Sequence, residues 1–181
     1  DKELAKSKLE HFLMNNFNLL EKSIGKIKNN FTFDEQIRQA SKIFIKNDNL
    51  KCLGSGINYN IAKFTSKKIM TKYKRSCAFD ILENHKHIDI SAESSIIIFI
   101  SNIIRPGYQN DAASEIEKII SHNNIPVIVT NMNDYRFDNL RTPSNEKICL
   151  IKTPIVPEAV SPFINIFIVN KIIKEIINNA L

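Results

Sequence analysis

A glycine turn is the first stretch of this chain whose residue types could do chemistry. Gly54-Ser55-Gly56 follows a short apolar run and precedes a helix-like segment that begins near Asn58. Glycines between a strand and a helix let the backbone approach a phosphate, and the free N–H groups of the helix favour an anion. Either Gly54, Ser55, Gly56 and Asn58 contact a phosphate or a sugar, or this is a tight turn without a ligand. Tyr59 stands where the dinucleotide fingerprint needs its third glycine, so that motif is incomplete.

The densest polar cluster is Glu-Asn-His-Lys-His-Ile-Asp at residues 83–89. A histidine such as His87 titrates near neutral pH, so beside Lys86 and a carboxylate such as Glu83 it is suited to acid–base catalysis. His85 and His87 could ligate a metal only if both nitrogens met at one point, and no Cys lies nearby. We therefore expect no metal, and a solvated loop remains the alternative to an active-site loop.

Other candidates lie on the helix after the glycine turn and at the end of a later strand. Lys68 is on that helix, where it is either a site residue or one exposed lysine in a lysine-rich run. Ser101 and Asn102 follow a continuous β-branched run and are candidate ligand contacts. Arg105, in the same loop, could hold an anion or be an ordinary loop charge.

Apolar runs and helical periods alternate along the chain and predict where these residues lie. Short buried strands are predicted near residues 50–53, 76–79, 95–101, 126–130 and 147–151, with helices between them. Such alternation favours a parallel sheet covered on both faces, so we expect a three-layer, doubly wound α/β fold of flavodoxin-like type. Ligands bind such sheets at the carboxyl ends of the first and third strands, which brings the two candidate loops together.

The organisation is that of a single domain with a helical leader. Residues 1–48 form the leader, residues 49–160 the α/β core and residues 161–181 a C-terminal helix. Within the leader we predict one helix at residues 2–28 with a single apolar stripe, and a second that starts after Thr32. Residues 138–145 are predicted to be a plain loop.

Composition excludes several classes of protein. The chain has 181 residues, 43% of them hydrophobic and 24% charged, which is globular. Its net charge of +6 suits anionic partners, but the basic residues are scattered and no recognition motif accompanies them, so we expect no nucleic acid. The three cysteines lie in or beside apolar runs without metal-ligand spacing, which indicates free thiols in the cytoplasm. The longest apolar run is too short for a membrane span.

Three segments resemble the second sugar-isomerase (SIS) domain of isomerising glutamine–fructose-6-phosphate aminotransferases. Residues 53–62, L-G-S-G-I-N-Y-N-I-A, resemble the L-G-R-G-x-x-Y-x-x-A segment of that family. Lys86-His87 aligns with its K-H pair without a gap, and residues 157–163 resemble the segment that leads into its last helix. The resemblance covers most of residues 35–178.

The resemblance implies roles for several residues. His87 would open the sugar ring and reach the site of the neighbouring subunit, and Lys68 would support proton transfer. It further implies a homodimer, no cofactor, and an upstream glutaminase and first SIS domain. The family's isomerisation base is replaced by Thr71 here, and Glu83 could substitute only if its loop is rebuilt.

Two further departures concern the phosphate loop and the C-terminal tail. SIS domains that bind phosphosugars directly carry Ser-x-Ser-Gly-x-Thr after the third strand, whereas residues 101–107 read S-N-I-I-R-P-G. The catalytic Lys of the family's tail finds no counterpart. We expect the isomerase part of an aminotransferase that converts fructose 6-phosphate to glucosamine 6-phosphate. The alternative is a non-catalytic SIS module that senses a sugar phosphate or dimerises, and a stand-alone isomerase is disfavoured.

Overall fold

The fold was analysed in a computed structural model, which describes residues 2–84, 94–101, 108–132, 135–145 and 148–180. The helices are α1 (Lys2–Lys28), α2 (Phe31–Ile45), α3 (Ile57–Lys72), α4 (Tyr108–Ser121), α5 (Tyr135–Asn139) and α6 (Ser161–Ala180). The strands are β1 (Leu50–Gly54), β2 (Cys77–Asp80), β3 (Ser95–Ile100), β4 (Ile125–Thr130) and β5 (Cys149–Lys152). A single-turn 3₁₀ helix spans Leu82–Asn84.

The five strands form one parallel sheet in the order β2-β1-β3-β4-β5. β1 and β3 are buried throughout, and β4 is buried except for its first residue, because helices cover both faces of the sheet. The predicted doubly wound, five-stranded α/β fold with a helical leader is therefore confirmed. The order reverses between β1 and β3, so the ligand crevice expected for this topology lies at their carboxyl ends.

Alternate residues of each strand feed two separate cores. On one face, Ile97 and Phe99 of β3 join apolar residues of α1, α2, α3 and α6. On the other face, Ile96 and Ile98 join residues of α4 and α5, including the buried Phe137. The helices that flank β1 and β3 at their carboxyl ends, α3 and α6, therefore lie on the same face.

Helix α1 is confirmed, but its apolar stripe is only partly covered. Ile27 is 4% exposed and belongs to the core, whereas Leu9, Phe12 and Phe17 are 57%, 55% and 63% exposed. The helical period correctly predicts the secondary structure, yet only the C-terminal part of the stripe packs on this chain. Within the described residues, no helix is long and apolar enough to cross a membrane.

Two predicted boundaries are wrong. α2 begins at Phe31 and not after Thr32, because Asn30 Oδ1 accepts a 3.1 Å hydrogen bond from the Thr32 N–H and caps the helix there. The predicted loop at residues 138–145 begins inside α5, because Phe137, 1% exposed, anchors that short helix in the core.

Candidate functional site

The glycine turn at the end of β1 is dictated by close packing. A Cβ atom on Gly54 would lie 2.4 Å from the carbonyl oxygen of Asn58, so a larger residue would collide with the backbone of α3. Gly56 has a φ of 59°, a conformation that residues with a side chain rarely adopt. The Asn58 N–H donates to the Ser55 carbonyl at 3.1 Å and closes the turn. The two glycines thus allow α3 to begin directly beside β1.

Asn58 and Ser101 meet across the point where the strand order reverses. Asn58 Nδ2 donates to Ser101 Oγ at 2.9 Å, and the two side chains are 0% and 2% exposed. The sequence predicted that the loops after β1 and β3 would come together, and the structure brings these two residues together. Both side chains are engaged with protein partners, so in this arrangement they shape the crevice.

Two residues of α6 that the sequence analysis did not single out complete this network. Ser161 Oγ lies 2.7 Å from Ser101 Oγ, and Asn165 Nδ2 donates to Asn58 Oδ1 at 3.1 Å. Ser161 is 4% exposed and Asn165 3%. Ser161 lies in the segment 157–163 that resembles a known family, whereas Asn165 lies 107 residues from Asn58 and no local pattern marks it.

A carboxylate lies beside the glycine turn. Ser55 Oγ donates a 2.6 Å hydrogen bond to Glu83 Oε2. Glu83 is half-buried in the 3₁₀ turn after β2, and the neighbouring Leu82, 1% exposed, fixes that turn in the core. The arrangement presents an acceptor, and a group able to carry a proton, at the carboxyl edge of β1.

Lys68 lies apart from these residues. It is ten residues beyond Asn58 on α3, which corresponds to roughly 15 Å along the helix axis. Its Nζ donates to Asn170 Oδ1 on α6 and lies 5.3 Å from the centroid of the Phe64 ring. Thr71, which replaces the family's base, donates to the Lys67 carbonyl. The structure therefore does not bring Lys68 together with Glu83.

The remaining predicted site residues, His87 and Asn102, lie outside the described residues, as does Arg105. Among the side chains that the structure describes, no three His, Cys, Asp or Glu come close enough to hold a metal ion. Cys52 and Cys77 are free thiols on neighbouring strands, with their sulfur atoms 3.6 Å apart. Burial raises the pKa of Cys52, whereas the hydrogen bond from Cys52 lowers the pKa of Cys77.

The third thiol, Cys149, is buried on β5. Burial raises its pKa to about 12. It is a free cysteine of the core, and its sulfur donates weakly to the Gln36 carbonyl at 3.5 Å. This environment suits a packing residue better than a nucleophile, because only the thiolate is reactive.

Comparison with known proteins identifies the fold. No family model and no curated protein matches the sequence. Among solved structures, the C-terminal domain of glucosamine-fructose-6-phosphate aminotransferase from Francisella tularensis superposes with a TM-score of 0.71 at 13% identity, covering 93% of this chain and 44% of that chain. This chain thus spans less than half the length of that structure.

Two further solved structures align over nearly the whole chain. The sugar isomerase domain of an RpiR transcription factor from Sphaerobacter thermophilus has a TM-score of 0.66 at 14% identity, covering 92% of this chain and 89% of that chain. The Vibrio vulnificus NanR protein, complexed with ManNAc-6P, has a TM-score of 0.67 at 10% identity, covering 97% and 66%.

The strand order and the polar crevice at its reversal define a doubly wound α/β domain of the class that binds ligands at the carboxyl edge of its sheet. More particularly, this chain has the phosphosugar isomerase-type SIS fold.

Proposed function

We propose that this chain is a SIS domain that binds a sugar phosphate at the carboxyl edge of β1 and β3. We further propose that it is the isomerase part of an aminotransferase that converts fructose 6-phosphate to glucosamine 6-phosphate. The hydrogen bond between Ser55 and Glu83 carries the proposal, because it holds a carboxylate, which can accept hydrogen bonds from sugar hydroxyls, at the edge of the sheet where the glycine turn lies. The similarity to a domain of such an aminotransferase and to a protein complexed with ManNAc-6P supports it.

The chemistry requires a group that moves a proton between adjacent carbons of an opened sugar. Thr71 stands where the family has its catalytic carboxylate. Glu83 is therefore the candidate base in this chain. The resemblance assigns ring opening to His87. Lys68 contacts Asn170 and Phe64, so it can support proton transfer only if a second subunit brings a ligand to that side of α3. No metal or organic cofactor enters this scheme.

The proposal includes a second copy of the chain and upstream domains. The resemblance implies a homodimer. The exposed part of the apolar stripe on α1 supports a dimer, because a second copy could cover it. Phe12 and Phe17 are more than half exposed, although an aromatic side chain carries roughly 150–250 Å² of surface that favours burial. A glutaminase and a first SIS domain would precede the leader at residues 1–48. Three buried free thiols accord with a cytoplasmic protein.

A binding experiment tests the site. Calorimetric titration with fructose 6-phosphate and glucosamine 6-phosphate should show saturable binding to the wild-type chain. Glu83→Gln should weaken that binding about tenfold, because a charged acceptor is lost at the site. Glu117→Gln is the matched control, since Glu117 is an exposed acid on α4, which packs on the sheet face opposite α3 and α6. Absence of binding to either sugar phosphate would contradict the proposal.

A second candidate function is sensing of a sugar phosphate without catalysis. Thr71 in place of the family's base favours it, as does the likeness to the sugar isomerase domain of a transcription factor. Only the isomerase moves a proton between carbons of the sugar, and that proton can exchange with the solvent. NMR of fructose 6-phosphate in D₂O should show deuterium entering the sugar if the chain isomerises it, and saturable binding without exchange would identify the sensing module.

A further inference from the structure

We infer that Asn165 on α6 is a positioning residue for the glycine turn, acting through Asn58. In this arrangement the C-terminal helix fixes the direction in which the first N–H groups of α3 point. A phosphate at the turn would lie against that end of α3. The inference rests on the proposed function for the identity of the ligand, while its structural part stands on the described contacts alone.

The contact is buried and specific. Asn165 Nδ2 donates to Asn58 Oδ1 at 3.1 Å, and the opposite side of the Asn58 amide donates to Ser101 Oγ at 2.9 Å. Asn58 is 0% exposed and Asn165 3%, so the contact is shielded from bulk water. A buried amide keeps the orientation that satisfies its donors and acceptors, so this pair of contacts fixes the Asn58 side chain.

The orientation of Asn58 in turn controls both ends of the glycine turn. Its N–H donates to the Ser55 carbonyl at 3.1 Å, and its carbonyl oxygen packs against the position where a Gly54 side chain would lie. A displacement of Asn58 therefore shifts the start of α3 and the residue that hydrogen-bonds Glu83 at the same time. Asn165 thereby acts on the site although it need not touch the ligand.

The same helix offers a matched control. Asn170 is also on α6 and also contacts a side chain of α3, but its partner is Lys68, away from the crevice. Replacing Asn170 by leucine removes a side-chain contact between the same two helices, at an exposed position. A general loosening of α3 against α6 would appear in both variants, whereas a positioning role at the turn is specific to Asn165.

The test compares Asn165→Leu with Asn170→Leu by hydrogen exchange and by sugar-phosphate binding. We expect amide exchange at residues 56–59 to rise about tenfold in Asn165→Leu, because the buried Asn58 Oδ1 keeps only the longer, 3.3 Å contact from Ser101 Oγ. Exchange in strand β4, which lies away from the turn, should stay unchanged, and Asn170→Leu should match the wild type at residues 56–59. The dissociation constant for fructose 6-phosphate should rise about tenfold in Asn165→Leu only.

The outcomes separate this inference from the proposed function. Unchanged exchange at residues 56–59 in Asn165→Leu, or an equal rise in both variants, would overturn the positioning role. A rise confined to Asn165→Leu would support it even if the wild-type chain bound neither sugar phosphate, and that lack of binding would overturn only the proposed function. If Asn165→Leu does not fold, Asn165→Ala removes the same amide donor with a smaller side chain, and the same exchange criterion applies.

Discussion

Ser55 Oγ donates a 2.6 Å hydrogen bond to Glu83 Oε2, which joins the turn after β1 to the turn after β2 across 28 residues. Ser55 is 3% exposed, whereas Glu83 is half-buried, so the hydroxyl is fixed and the carboxylate can still meet a ligand. The contact gives Glu83 a defined direction at the carboxyl edge of the sheet, where a ligand is expected.

Removing that hydroxyl should affect binding more than stability. Ser55→Ala leaves Glu83 free to turn toward water, so we expect the affinity for fructose 6-phosphate to fall about tenfold. The free energy of unfolding should change by less than about 1 kcal/mol, because the carboxylate can be hydrated. Calorimetry and urea unfolding measure the two effects, and Ser144→Ala, at an exposed serine, is the control. An unchanged affinity would remove Ser55 from the site.

The two glycines with a described environment should respond in opposite directions to alanine. Gly54→Ala would place a Cβ atom 2.4 Å from a backbone oxygen, so we expect a loss of about 1–3 kcal/mol in the free energy of unfolding. Gly25 lies within α1 with open space around it, and Gly25→Ala should stabilise the chain by up to about 1 kcal/mol. Urea unfolding compares them, and equal effects would show that the close approach at Gly54 relaxes readily.

Cys52 and Cys77 should not form a disulfide in the folded chain, although their sulfur atoms are 3.6 Å apart. Cys77 pairs with Leu50 and Cys52 with Phe79, so the two cysteines are diagonal neighbours. Two residues along a strand and one strand spacing place their Cα atoms about 8 Å apart, beyond the usual reach of a disulfide. Treatment with diamide followed by peptide mass spectrometry checks this. A Cys52–Cys77 cross-link formed under native conditions would contradict it.

The thiol of Cys149 should make stability fall at alkaline pH. Its pKa is raised to about 12 by burial, so the folded chain keeps a proton that the unfolded chain releases above its ordinary value of 9.0. The stabilisation is complete below pH 9 and is lost at about 1.4 kcal/mol per pH unit as the pH rises toward 12. Cys149→Ala should have a shallower decline in unfolding free energy across this range. Parallel curves for the two proteins would contradict the assignment.

The uncovered stripe of α1 should control self-association. Sedimentation velocity of the wild-type chain should report a dimer, and the double variant Phe12→Glu, Phe17→Glu should be monomeric, because charges would be buried in the interface. Phe31→Glu is the control, since Phe31 is 75% exposed but begins α2. A dimer that survives the double variant would show that another surface holds the copies together.

Much of the fold could be predicted because its strands carry strong local patterns. Two apolar runs predict buried strands directly: the β-branched run at residues 95–100 and the run at residues 126–130. Their alternation with helices predicts the parallel sheet. Asn30 was missed as a cap because the apolar period of α2 alone does not mark where that helix begins.

The site could be predicted only as far as its local motifs reach. The glycine turn and the loop after β3 were expected to meet, and Asn58 and Ser101 do meet. The contribution of Asn165 depends on a contact between distant segments, and a single asparagine in a helix gives no sign of such a contact. The stripe of α1 likewise indicates an apolar face, but periodicity does not say what covers it.

The position of β1 between β2 and β3 has a consequence for the order in which the chain folds. β1 pairs with β2 on one side and with β3 on the other, and β2 comes first along the chain. The unit of β1, α3 and β2 can therefore assemble early, with the second edge of β1 left unpaired until β3 has been synthesised. An open strand edge is a template for association with other chains, so slow synthesis of residues 81–94 should favour aggregation of the nascent chain.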